Sequence, residues 1–139
     1  MIVVDASAVI AVMFGESSAK RLARRLAADA ERVISVASYL EAGTVLASRR
    51  LDDKPRAIED LDTFLDEAGI ELAGVDVRQA RAALGARIAY GQGMGHGGKL
   101  NFGDCFSYAL AKSLNAPLLF VGDDFPRTDV VPALRPSAR

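Results

Sequence analysis

Four carboxylates stand alone in this sequence. Asp5 is the only charged residue between Met1 and Gly15, Glu41 the only one between Val33 and Ser48, and Asp104 the only one between Leu100 and Ala111. The uncharged run from Ser113 to Gly122 then ends in Asp123 and Asp124. An unpaired charge in an apolar segment is costly, so each acid needs either an exposed position or a compensating positive charge. If these acids met in one partly dry pocket they would repel one another, and some would hold protons. A divalent cation removes that repulsion, and hard oxygen donors suit Mg²⁺ or Mn²⁺. With one cysteine, Cys105, and one histidine, His96, the chain offers neither a zinc set nor an internal disulfide.

Each acid also has a local explanation. Asn101 and Asp104 have the N-cap to N3 spacing of a capping box, worth about 1 kcal/mol. Asp5 could cap a following helix, Glu41 could sit on an exposed helix face, and Asp123-Asp124 could form a turn. These readings must each separately explain why the carboxylate is the sole charge of its segment.

The elements around the acids decide whether they can meet. MIVVD reads as a buried strand, followed by a helix from Ala8 to Phe14 that Ser7 could cap and Gly15 ends. SSAKRLARRLAADA is a second helix, with Ser17 or Ser18 as cap. Its basic face, Lys20, Arg21, Arg24 and Arg25, reads as solvated, with RNA contact as the competing role. RVISV is a second strand and ASYLEAGTVLASRR a third helix. Lys54 to Ala68 is a fourth helix, with Pro55 in its first turn and Gly69 at its end. IELAGV is a third strand and VRQARAALGARIAYG a fifth helix. GQGMGHGGK, from Gly91 to Lys99, holds five glycines and reads as a flexible loop. A helix starting near Asn101 carries Asp104. PLLFVG is a fourth strand and DVVPAL a short candidate fifth.

Strands alternating with helices predict an α/β fold, a mainly parallel sheet of four to five strands flanked by helices. Such sheets place their sites beyond the carboxyl ends of the strands, where Asp5 and Asp123-Asp124 fall. The 139 residues fit a single domain, 1–139, with a loose tail from about residue 135. The formal net charge of −1 argues against a globally basic nucleic-acid coat. No apolar run approaches a membrane span, and the N-terminus lacks the basic region of a signal peptide, so a cytoplasmic location is expected. Cys105 reads as a packed core thiol.

Taken in order, VVDASA, SYLEAGTVLASR, YGQGMGHGGKLNFGDCFSYALAK and PLLFVGDDFPRTD resemble the PIN domains, and within them the VapC toxins of type II toxin–antitoxin pairs. The resemblance spans nearly the whole chain. It implies a PIN-like fold and a metal-dependent endoribonuclease with Asp5, Glu41, Asp104 and Asp124 as its acids. Asp5 and Asp104 would be the principal Mg²⁺ ligands. Glu41 and Asp124 would complete the site, and Asp123 would act through water. Ser7, Asn101 and Ser107 match residues that order the site. The resemblance also implies hydrolysis by a metal-activated water, a VapB-type antitoxin as inhibitor and a homodimer. Lys99, Arg49 and Arg50 are candidates for RNA phosphate contacts.

Two other readings stay open on the residues alone. A non-catalytic PIN-like module would bind RNA or a partner without cutting. A phosphoryl-transfer domain would also use Mg²⁺ beside a strand-end Asp. The phosphatase pattern needs a second Asp where Ser7 stands, and the receiver pattern needs an early acidic pair and a late strand-end Lys.

Overall fold

The computed structural model describes residues 1–135. The remainder of the expected C-terminal tail lies outside the described residues. Four strands alternate with six helices: β1 (Ile2–Val4), α1 (Ala6–Met13), α2 (Ala19–Ala27), β2 (Arg32–Ser35), α3 (Val36–Arg49), α4 (Arg56–Ala68), β3 (Ile70–Ala73), α5 (Val77–Tyr90), α6 (Phe102–Leu114) and β4 (Leu118–Leu119). The sheet order is β3-β2-β1-β4 and every pairing is parallel, so all carboxyl ends face one edge.

The side-chain period of two distributes the sheet over two cores. Ile2, Val4, Ile34 and Leu119 point to one face, against Ala8 and Val9 of α1, Leu22 and Leu26 of α2, Leu46 of α3, and Leu61 and Leu65 of α4. Val3 and Leu118 point to the other, against Ala83 and Ala86 of α5 and Cys105, Ala109 and Leu110 of α6. Burial on both faces is why these strands read as continuous apolar runs. Cys105 lies buried in the second core, as expected of a packing residue.

Several boundaries differ from expectation. Helix α1 starts at Ala6, because Asp5 and not Ser7 is its N-cap. The Asp5 side chain takes the Ser7 N–H, leaving the Ser7 hydroxyl for other work. Ser18 occupies the cap position of α2 without making a capping bond. Pro55 stands at the N-cap of α4, one residue before the helix. Gly69 ends that helix in a left-handed conformation, φ 65°, as expected.

The candidate fifth strand shrinks to a single parallel bridge between Leu118 and Pro132. Proline has no N–H to continue a ladder, so pairing stops at Leu118 N–H to Val131 O and Ala133 N–H to Leu118 O, both 2.8 Å. The basic face of α2 is not simply solvated. Arg25 Nε donates to Ala133 O at 2.9 Å and Arg21 Nη2 to Arg135 O at 2.6 Å, so that face holds the C-terminal segment.

The glycine loop is tied down at both ends. Gly91 and Leu100 form a bridge, and Arg87 Nη1 donates to Gln92 O and Leu100 O. Arg127 Nη1 donates to Gly97 O across the loop. A Cβ at Gly98 would stand 2.0 Å from Tyr90 O, so only glycine permits the chain to fold back this closely. Among the described residues no helix is long and apolar enough to cross a membrane.

Candidate active site

The parallel sheet delivers Asp5 to the shared carboxyl edge one residue beyond β1, where Asp5 N–H donates to Leu119 O at 2.9 Å. Its carboxylate is almost wholly buried and accepts three hydrogen bonds. Oδ2 takes the Ser7 N–H (3.0 Å) and the Ser7 hydroxyl (2.6 Å), and Oδ1 takes the Ser107 hydroxyl from α6 (2.5 Å). Ser7 Oγ also accepts the Val121 N–H at 3.0 Å, tying the segment after β4 to the end of β1.

Asp104 is buried in the first turn of α6. The capping box is formed in both directions. Asn101 Oδ1 accepts the Asp104 N–H at 2.8 Å, and Asp104 Oδ2 accepts the Asn101 N–H at 3.0 Å. One carboxylate oxygen therefore serves the backbone while the group still faces its neighbours. The capping explanation of Asp104 holds, and it leaves the second carboxylate oxygen free of the cap.

Glu41 reaches the cleft from α3 by way of Gly103. A Cβ on Gly103 would stand 2.3 Å from Glu41 Oε2 and 2.6 Å from its Cδ. The missing side chain is thus the cradle for the Glu41 carboxylate. Glycine inside a helix costs about 1 kcal/mol against alanine, and here close approach explains it. A glycine as the second helical residue is a signal readable in the sequence.

The electrostatics mark the four acids as neighbours. Burial, then the Asp5 and Asp124 carboxylates, push Glu41 up to about 7. Burial also drives Asp104 up, to about 8. The Asn101 N–H opposes that rise, and the charges of Asp5 and Asp124 add to it. Asp124, in the loop after β4, thus belongs with Asp5, Glu41 and Asp104. Asp123 does not. It turns outward to Lys99 Nζ at 2.6 Å, and that ion pair holds its carboxyl below the usual range. Lys99 lies at the rim of the cluster as an ion-pair partner. Arg49 stacks over the Phe14 ring at 4.3 Å, and Arg50 pairs with Asp60 at 2.9 Å. The structure places neither with the acids, since both lie at the far end of α3. His96 is exposed in the glycine loop.

No three acid, thiol or imidazole side chains among the described residues are gathered as closely as in a formed metal cage. The donor set nevertheless fits a hard divalent cation. Its donors are all carboxylate oxygens, and burial together with the charges of Asp5 and Asp124 raises the proton affinity of Glu41 and Asp104.

Two outcomes follow from this geometry. A carboxyl whose pKa is raised on folding adds full stability below its unfolded value and loses it as pH climbs through its folded value. For Asp104 that window runs from 3.8 to about 8. In chelator, Asp104→Asn should melt like the parent near pH 4 and above it at pH 8, by circular dichroism; equal melting at pH 8 contradicts the burial argument. Gly103→Ala should expel the Glu41 carboxylate from its cradle. Its titration, followed by carboxyl ¹³C resonance, should fall from about 7 toward the ordinary carboxylate range, with the helix retained.

The family model described as PIN domain matches residues 2–131. Ribonuclease VapC42 of Mycobacterium tuberculosis is 42% identical over 131 residues, covering 94% of this chain and 98% of the relative. Ribonuclease VapC28 of the same organism is 46% identical over 132 residues, covering 95% and 97%. Among solved structures, Mycobacterium tuberculosis VapC20, a sarcin–ricin loop cleaving toxin, matches with a TM-score of 0.76 at 18% identity over 98% of this chain and all of that one. VapBC2 from Rickettsia felis, bound to a DNA fragment from its promoter, matches with a TM-score of 0.70 at 19% identity, over 95% of this chain and 96% of that one. At such identities the structural matches speak for the fold. The family model and the 42% and 46% identities, which run nearly end to end, go further: the chain belongs to the PIN-domain family, in its VapC branch.

Proposed function

We propose that this chain is the toxin of a type II toxin–antitoxin pair, an Mg²⁺-dependent endoribonuclease, with Mn²⁺ as a substitute, held in check by a VapB-type antitoxin. The observation that carries the reading is the convergence of Asp5, Glu41, Asp104 and Asp124 at one sheet edge, two of them with raised proton affinity. Membership in a branch whose 42–46% identical relatives are named ribonucleases supports the substrate class.

A divalent cation, when bound, supplies a water of lowered pKa and positive charge opposite the scissile phosphate. Asp5 and Asp104 are the fixed donors, held by Ser7, Ser107 and Asn101. Glu41 and Asp124 are more open to solvent and complete the set. Lys99 can exchange Asp123 for an RNA phosphate at the rim, because an ion pair this exposed to solvent holds its partners weakly. Ser7, two residues after Asp5, donates to that acid, which counts against the phosphatase reading.

The homodimer belongs to the same proposal. Phe102 of α6 and Leu40 of α3 are 76% and 69% exposed, and Leu84 and Ile88 continue the apolar strip one turn apart on α5. Contiguous exposed apolar side chains mark interaction surfaces. A second copy covering this strip would set two acid clefts side by side.

The purified chain should cleave RNA with Mg²⁺ or Mn²⁺, leave 5′-phosphates and stop in chelator. Mapping cellular 5′ ends after expression of the parent and of Asp104→Ala should give cuts with the parent alone. Identical cuts from both, or cleavage surviving in Asp5→Ala, would overturn the assignment. Leu84→Asp should convert a dimer to a monomer in light scattering without lowering the melting temperature; an unchanged mass removes this strip as the interface.

A further inference from the structure

Ser38 is fully buried in α3, three residues before Glu41, and nothing in the chemistry above uses it. Its Oγ stands 2.9 Å from Ser107 Oγ. Ser107 Oγ in turn stands 2.5 Å from Asp5 Oδ1. Ser107 is likewise fully buried.

With Ser107 donating to Asp5, the contact between the two serines has one consistent direction. A serine hydroxyl has one proton and two acceptor lone pairs, and an ionised carboxylate can only accept. The Ser107 proton is therefore committed to Asp5. The Ser38–Ser107 contact is a hydrogen bond only if Ser38 is its donor. The relay runs Ser38 O–H to Ser107 Oγ, and Ser107 O–H to Asp5 Oδ1. Donation into Ser107 polarises its O–H and strengthens the bond to the carboxylate, as hydrogen bonds in a dry chain reinforce one another.

The counting extends to Asp5. A carboxylate has about four acceptor directions. On Oδ2 the Ser7 N–H and hydroxyl take both, and on Oδ1 Ser107 takes one. The direction left over lies on Oδ1, the oxygen governed by the relay. The same two serines join α3, which carries Glu41, to α6, which carries Asp104. They do so beside the point where Gly103 admits the Glu41 carboxylate.

We infer that Ser38 is a positioning residue for the acid cluster: through Ser107 it sets the orientation of Asp5 Oδ1 and the spacing of α3 from α6, and so the affinity of the site for a divalent cation. The cation part rests on the proposed function; the relay itself does not.

The test uses the full chain, purified without a partner. Ser38→Ala removes one oxygen atom and should melt within a few degrees of the parent in chelator. In metal-free spectra the Asp5 carboxyl ¹³C resonance should move in Ser38→Ala and stay near the parent position in Ser38→Thr, which keeps the hydroxyl. Ser48→Ala, whose hydroxyl bonds only its own helix at Val45 O, should leave it unmoved. Titration with Mn²⁺, reading free ion by electron paramagnetic resonance, should show affinity lowered about tenfold or more in Ser38→Ala, the range seen when outer partners of metal ligands are removed. Thr at position 38 should restore it. An unmoved Asp5 resonance in Ser38→Ala overturns the relay. A moved resonance with unchanged Mn²⁺ affinity overturns the role in the site. A resonance moved in Ser38→Ala, beside a parent that binds no Mn²⁺, supports the relay and sinks the metal reading instead.

Discussion

Like charges held close together in a poorly solvated cleft resist assembly, and this chain assembles four of them. The rest of the structure can be understood as the means by which that repulsion is endured. Asp5 and Asp104 are nearly buried, and each is held by donors close to it in sequence. The N-terminal ends of α1 and α6 carry partial positive charge, worth a few tenths to about 1 kcal/mol per nearby carboxylate, and both acids occupy such ends. Glu41 lacks a cap role, and what it receives is room, in the form of a glycine.

Architecture makes the convergence cheap in chain length. In a parallel sheet every strand finishes on the same edge, so residues distant in sequence arrive together without long loops. Asp5 and Asp124 come from the ends of β1 and β4, which are neighbours in the sheet. Glu41 and Asp104 come from helices that follow β2 and precede β4. Ser7 holds the first pair of segments together through Val121 N–H, and the two buried serines hold the second pair.

Much of this was legible in the sequence. The isolation of each acid identified the cluster, because an apolar segment tolerates a lone carboxylate only with a reason. Alternating strands and helices identified the parallel sheet, and Asn101 with Asp104 announced the start of α6. What escaped was set by contacts between distant elements. Gly103 has no meaning until α3 is known to lie beside α6. Arg21 and Arg25 looked like a solvated face because their acceptors, backbone carbonyls of Ala133 and Arg135, have no signature in side-chain type. Asp123 and Asp124 are adjacent and chemically equal, and only the backbone of their turn decides which one faces inward and which meets Lys99.

Strand β4 is only two residues long, yet its pairing groups are fully occupied. Asp5 N–H takes the Leu119 carbonyl on the inner side, while Leu118 spends its N–H and its carbonyl on Val131 and Ala133 on the outer side. The segment around Pro132 therefore works as a selvedge, a finished border that cannot unravel or be sewn to another cloth. An extended foreign segment cannot pair with β4 itself without displacing the segment around Pro132. The border spares β4 from pairing at random and leaves the side chains of the neighbouring helices and loops as the surface presented around the acid cleft.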